Sequence, residues 1–200
     1  MKRTSLLAFL AAVSVALLPL AAAGQTAPPA TVRVPKYEAY GAFAYTTLNQ
    51  VNQSRFGLMG FHGAITRILS KHWGLTGSGD YFKVPAGSGS GIYANPGNPS
   101  VYTFMVAPEV RFPIWDKWDG AVFGELGIAH TGGEQMIPNT SFAGGLGGSV
   151  TYALNRRWAL RAVGDRVTAS FSLRDNATGL ANSSHMTTNT RGMIGVVYRF

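Results

Sequence analysis

The chain has no cysteine among its 200 residues. That excludes disulfide staples, cysteine-based zinc sites and thiol nucleophiles, so the fold must hold by packing and hydrogen bonds. Charge is scarce as well. Only 13% of the residues are charged against 46% hydrophobic ones, a balance that excludes a disordered chain. After residue 23 no apolar run approaches the roughly 20 residues a membrane-spanning helix needs, and sustained 3.6-residue periodicity is missing. Clustered positive charge is missing too. In the chain beyond the first segment Arg33, Lys36, Arg55, Arg67, Lys71, Lys83 and Arg111 stand singly, and only Arg156 and Arg157 adjoin. The formal net charge is +8, of which Lys2 and Arg3 supply two, leaving about +6 from Gly24 onward. Spread this way, it does not form the stripe that a nucleic-acid surface requires, and no nucleic-acid partner is expected.

What is present begins with a targeting segment. Lys2 and Arg3 precede an apolar stretch from Leu6 to Leu20, and Ala21-Ala22-Ala23 offers a small-residue cleavage site before Gly24. Residues 1–23 therefore read as a secretory signal peptide. Residues 24–35, with Pro28, Pro29 and Pro35, read as an extended lead-in, and the folded domain is expected over 36–200.

That domain consists of segments of alternating character, each of about ten residues, bounded by turn residues. Strands are expected near Lys36–Leu48, Leu58–Leu69, Trp73–Lys83, Val101–Phe112, Gly120–His130, Ser141–Leu154, Trp158–Val167 and Thr188–Phe200. Pro108 inside the fourth either weakens that strand or marks a bulge. The links at Ser70–His72, Pro113–Trp118 and Asn155–Arg157 are short. Those at Leu48–Gly57, Val84–Ser100, Thr131–Thr140 and Thr168–Thr187 are longer. Short and long links alternate, as they do in up-and-down membrane barrels. The expected fold is all-β, an eight-stranded antiparallel up-and-down transmembrane β-barrel preceded by a signal peptide.

Strand parity assigns the faces. Glu38, Asp80, Glu109, Glu125 and Asp165, five of the nine acids, fall on the less apolar face together with Arg111, Arg161 and Arg191. An unpaired charge facing lipid costs about 2–4 kcal/mol at the bilayer midplane. In a barrel this narrow side chains fill the interior, so these eight residues are expected to pair as a lumen network, with Ala42, Ala44, Gly145, Gly147 and Ser149 leaving room for them. Such a network reads as a plug rather than a catalytic centre. Trp73, Trp115, Trp118 and Trp158 all sit in or beside the short turns, which predicts an aromatic girdle at one membrane interface. Phe43, Tyr45, Tyr81, Tyr102 and Phe104 are candidates for the other. Tyr40, Phe82 and Phe123 fall in the inward register.

His62, His72, His130 and His185 lie in separate segments, none at metal-ligand spacing with another. His130 and His185 stand near the longer links with Ser141, Ser183 and Ser184 nearby in sequence, but nothing fixes a catalytic geometry. Gly144–Gly148 and Gly87–Gly91 lack the strand-to-helix setting of a phosphate loop, and no cofactor or metal is expected.

Gly195-Val196-Val197-Tyr198-Arg199-Phe200 resembles the outer-membrane β-signal, which runs Gly, two residues, an aromatic, one residue and a terminal aromatic. More broadly, residues 36–200 resemble the OmpA-like outer-membrane β-barrel domain family. The likeness rests on Glu38-Ala39-Tyr40-Gly41-Ala42-Phe43-Ala44-Tyr45 and on Gly144–Gly148 followed by Trp158-Ala159-Leu160-Arg161 and Asp165. It also rests on the run from Asn189-Thr190-Arg191 to Phe200. These motifs identify a barrel and no activity. The resemblance implies location in a bacterial outer membrane and a non-enzymatic role in anchoring or surface interaction, through an unspecified surface ligand. The implied partners are outer-membrane lipids and the barrel assembly machinery, which would read Gly195, Tyr198 and Phe200. Larger members carry a peptidoglycan-binding domain after the barrel; this sequence ends at Phe200, so that anchoring is not expected. The alternatives are a narrow pore for small solutes, an outer-membrane lipid-modifying enzyme, and a soluble lipocalin-like barrel.

Overall fold

The computed structural model describes residues 35–49, 55–83, 99–133, 138–171 and 185–200. The expected signal segment, the lead-in as far as Val34, most of the four longer links and Ser183 and Ser184 lie outside the described residues. The described part contains eight strands: β1 Tyr37–Asn49, β2 Arg55–Ile68, β3 Trp73–Lys83, β4 Pro99–Trp115, β5 Trp118–Gly133, β6 Asn139–Ala153, β7 Trp158–Phe171 and β8 His185–Arg199. Each pairs antiparallel with the next and β8 pairs with β1, so the sheet closes into a barrel without edges. At the seam the amides of Lys36 and Tyr37 donate to the Phe200 carbonyl at 3.1 and 3.0 Å, and the Phe200 amide donates to the Tyr37 carbonyl at 2.9 Å.

The pairing fixes the shape. One row of partners runs Tyr45, Met59, Lys83 in one direction. In the other it runs Tyr45, Gly192, Gly164, Gly148, Val122, Val110, Trp73. It therefore returns to β3 ten residues from where it left. A stagger of ten over eight strands, with a rise near 3.3 Å and a spacing near 4.8 Å, tilts the strands by about 40°. The resulting interior is narrow enough for side chains to fill.

The short links are built by local chemistry. Asn155 Oδ1 accepts from the amides of Arg157 and Trp158, both at 2.8 Å, which pins the β6–β7 turn. The link expected over Pro113–Trp118 contracts to Asp116–Lys117, because β4 and β5 stay paired as far as Trp115 and Trp118. Pro108 neither ends the strand nor marks a bulge. Val106 faces Leu126 and Glu109 faces Phe123 without a shift, so losing one donor there leaves the pairing on either side intact. The shift falls instead between Pro113 and Trp115, next to the turn, where only one further pair must be re-aligned.

Parity sorts the side chains throughout. In β4 Val101, Thr103, Met105, Ala107 and Glu109 are buried while Tyr102, Phe104, Val106 and Val110 are exposed. Among the described residues, 29 large hydrophobic side chains are exposed. A soluble monomer rarely exposes even one contiguous apolar patch beyond a few hundred Å², so a belt of this extent marks the outside of the barrel as the face meant for an apolar medium.

Candidate functional site

The interior is layered. Nearest the short-turn end, the Glu38 carboxylate is 1% exposed and gathers three guanidinium groups. Arg111 Nη2 donates to its Oε1 at 2.9 Å, Arg199 Nε to the same oxygen at 3.1 Å, and Arg161 Nη2 to its Oε2 at 2.5 Å. Arg161 Nε donates to Thr151 Oγ1 at 2.9 Å, and its guanidinium lies 5.5 Å from the centre of the Tyr40 ring. The Tyr40 hydroxyl in turn donates to the Arg161 carbonyl at 3.2 Å. Glu109 stands 3.7 Å from Arg111 Nε and accepts from Thr76 Oγ1, while Asp119 lies 3.5 Å from Arg199 Nη2. Three arginines thus face three carboxylates, and the layer is neutral.

A second layer is built on Arg191, 3% exposed. Its Nε and Nη2 hold Asp165 at 2.8 and 3.0 Å as a bidentate pair. Nη1 donates to Asp80 Oδ2 at 2.7 Å and Nη2 to Glu125 Oε1 at 2.6 Å. Asp80 Oδ2 also accepts from the Thr103 hydroxyl, and its Oδ1 sits 2.6 Å from His62 Nδ1. Three carboxylates surround one guanidinium and one imidazole, so acidic groups outnumber basic ones in this layer.

Between the layers lies a cavity of about 40 Å³, lined by Tyr40, His62, Ser78, Phe123 and Met193 among others. That is space for a few waters at most. Beyond Arg191, toward the longer links, the lumen turns apolar. Leu58, Phe82, Val101, Met105, Ala143 and Val167 are buried there in one cluster. Two charged layers and an apolar one therefore fill the interior.

All eight residues expected in the lumen point inward, but they form two networks rather than one, and among the described residues no ion pair joins Glu38's set to Arg191's. His62, Thr103, Thr151, Arg199 and Asp119 also take part. The signal for each was parity. His62 alternates in phase with Ala64 and Thr66, and Arg199 with Val197 and Met193, so both were bound to face the lumen.

The four tryptophans stand at the short-turn end. Trp73, Trp115 and Trp118 are exposed and Trp158 is half-buried. Trp118 packs on Tyr152 and Trp158 on Tyr198, with ring centres 4.8 Å apart in each pair, and Phe200 stacks on Tyr37 and Tyr198. Toward the longer links Tyr81 and Tyr102 pack at 4.8 Å, whereas Phe43 pairs with Phe61 lower in the belt. Gly195 has a structural ground of its own. A Cβ there would stand 2.0 Å from the Gly41 carbonyl oxygen and 2.5 Å from Ala42 Cα, so the β1–β8 seam closes at this spacing only around glycine.

The serine–histidine idea fails at its one described pair. His130 points outward and its Nδ1 meets Thr140 Oγ1 at 2.8 Å, whereas Ser141 lies in the inward register and accepts from the Ser170 amide. Gly144–Gly148 lies within β6.

No protein family matches the sequence, and no curated protein does. Solved structures do share the fold. Neisserial surface protein A matches with a TM-score of 0.62 and 12% identity, over 82% of this chain and 97% of that one. Ail, the attachment invasion locus protein of Yersinia pestis, gives 0.48 and 14% over 83% and 99%. The N-terminal β-barrel domain of Pseudomonas aeruginosa OprF gives 0.48 and 13% over 83% and 98%. At such identities the first of these likenesses establishes architecture alone: the chain has the closed, eight-stranded, all-antiparallel barrel fold of Neisserial surface protein A.

Proposed function

We propose that the protein is a non-enzymatic barrel of the bacterial outer membrane, with its short turns on the periplasmic side and its four longer links outside. It anchors those links at the surface, where they meet a surface ligand. The observation that carries this reading is the combination of an apolar belt outside with a filled lumen inside. The belt supplies a lipid-facing surface bounded by tryptophans at one end. Among the described residues the cavity between the charged layers holds only about 40 Å³, far below the roughly 300 Å³ at which small-molecule pockets begin.

The last strand is proposed to serve delivery. Gly195, Tyr198 and Phe200 follow the pattern read by the barrel assembly machinery, and the same residues close the seam with β1. The test of the main reading is membrane fractionation with heated and unheated gel samples. The protein is expected in the outer-membrane fraction and to migrate faster unheated. A soluble periplasmic protein with a single mobility would overturn it.

A narrow pore is the second reading, favoured by the three carboxylates gathered around Arg191, which would attract cations. Planar-bilayer recordings decide between the two. Silence is expected from a filled lumen, and steady unitary openings would establish the pore.

A further inference from the structure

Among strand residues whose side chains are described, three cations point outward: Arg67, Lys83 and Arg166. Arg67 pairs with Tyr37 near the short-turn end, and Lys83 ends β3 at the long-link end. Arg166 is different. It lies along the outer wall in the row Gly124, Leu146, Arg166, Thr190, Thr47, which climbs from the apolar belt to the long-link rim. It has no carboxylate partner among the described residues. The nearby Glu125 is turned inward, its Oε1 held by Arg191. An uncompensated guanidinium on a lipid-facing wall is costly unless an anion meets it.

The wall beside Arg166 is also hollow. A groove of about 660 Å³ runs over β4 to β7, floored by Pro108, Gly124 and Gly144 and flanked by Leu126 and Leu146. The glycines make the hollow: a Cβ at Gly124 or Gly144 would meet the Leu146 or Leu126 side chain at 3.4 or 3.3 Å. At its upper end Arg166 stands with Thr168, whose hydroxyl lies 2.9 Å from that of Thr188, and with exposed Thr190.

We propose that this groove is a lipid site that holds one membrane lipid with a net-anionic phosphate headgroup, from the leaflet on the long-link side. The phosphate sits on the Arg166 guanidinium and the threonine hydroxyls. One acyl chain lies down the groove between Leu126 and Leu146. Arg166 then supplies headgroup selectivity and the glycines supply chain binding. The proposal rests on the membrane reading above, and the heated-and-unheated gel shift of each variant reports on that reading separately.

The test is native mass spectrometry of the full folded protein released from a neutral maltoside detergent, with phosphatidylglycerol or phosphatidylcholine added. One phosphatidylglycerol is expected to stay bound, at least fivefold in preference to phosphatidylcholine. Arg166→Leu is expected to abolish the preference, and Gly124→Leu to reduce retention of both lipids. Millimolar inorganic phosphate is expected not to displace the lipid. Equal retention of the two lipids by the unaltered protein overturns the proposal. So does unchanged preference in a heat-modifiable Arg166→Leu barrel, or full displacement by inorganic phosphate, which would leave the acyl groove without a role.

Discussion

Replacing Arg191 by methionine removes the centre of the second lumen layer while keeping much of its volume. Four hydrogen bonds of 3.0 Å or less go with it, two to Asp165 and one each to Asp80 and Glu125. Bonds to charged groups each contribute about 1.5–3 kcal/mol, so their gross sum exceeds any net effect. Three carboxylates are left with His62 as their one basic neighbour in the layer. Removing one partner of a buried ion pair typically costs about 3–5 kcal/mol, because the other charge stays buried and uncompensated. We expect a loss in that range. The assay is urea unfolding of the barrel in phosphatidylcholine vesicles, followed by tryptophan fluorescence and by heated and unheated gels. A control separates charge from packing: adding Asp80→Asn, Glu125→Gln and Asp165→Asn to the methionine variant is expected to recover most of the loss, since amides leave no stranded charge. A loss under about 1 kcal/mol, far from the buried-pair range, would refute the reasoning. So would a neutralised variant as unstable as the single one, because either result would show that the layer contributes shape and not charge.

Glu38→Gln is expected to cost less, about 1–3 kcal/mol in the same urea assay, because Arg111 and Arg199 are 12% and 13% exposed and reach water at the short-turn end. Ile194→Arg places a cation on the exposed face between Phe43 and Ala162 and is expected to cost about 2–4 kcal/mol. Gly195→Val is expected to prevent closure of the β1–β8 seam, read as loss of the fast-migrating unheated band. In planar bilayers Arg191→Ala alone is expected to stay silent, because Leu58 and Phe82 still fill the lumen beyond it.

The strand count, the inside and outside and the inward position of every named lumen charge were legible in the sequence, for one reason. A strand has a period of two, so a single acid such as Glu38 assigns the direction of all its neighbours. Strand ends were less legible. β4 reaches Trp115 through Pro113 because pairing with β5 continues past the proline. The division of the charges into two layers was not legible at all, since it depends on the stagger of ten, which no single strand contains. Glu38 shares its row of partners with Ala107, yet it meets Arg111, because the tilt brings those two to one height. His62 has no metal-ligand spacing to mark it, and only its parity with Ala64 and Thr66 places it in the lumen.

The same parity gives the lumen charges a role beyond stability. A one-residue slip in pairing turns every side chain to the other face. For β1, β3, β4, β5, β7 and β8 such a slip would carry at least one of Glu38, Asp80, Glu109, Glu125, Arg161, Asp165 and Arg191 out toward lipid, at about 2–4 kcal/mol for an arginine near the midplane and less for an acid. Buried ion pairs are weak sources of net stability but good devices for fixing register. β6 is the exception. From Asn139 to Ala153 it has no charged residue, and Gly144, Gly145, Gly147 and Gly148 fill its middle. Its alignment must come from its neighbours and from Phe142, Leu146 and Val150 on the outer face. The glycines there are held by contacts instead: a Cβ at Gly147 would stand 2.5 Å from Asp165 Cβ and from the Phe123 ring, and one at Gly145 would meet the Arg166 carbonyl at 2.6 Å. A slip that brought Leu146 to either place would collide with β5 or β7. In seven strands charge or histidine marks the inner face, and in the eighth the absence of room does.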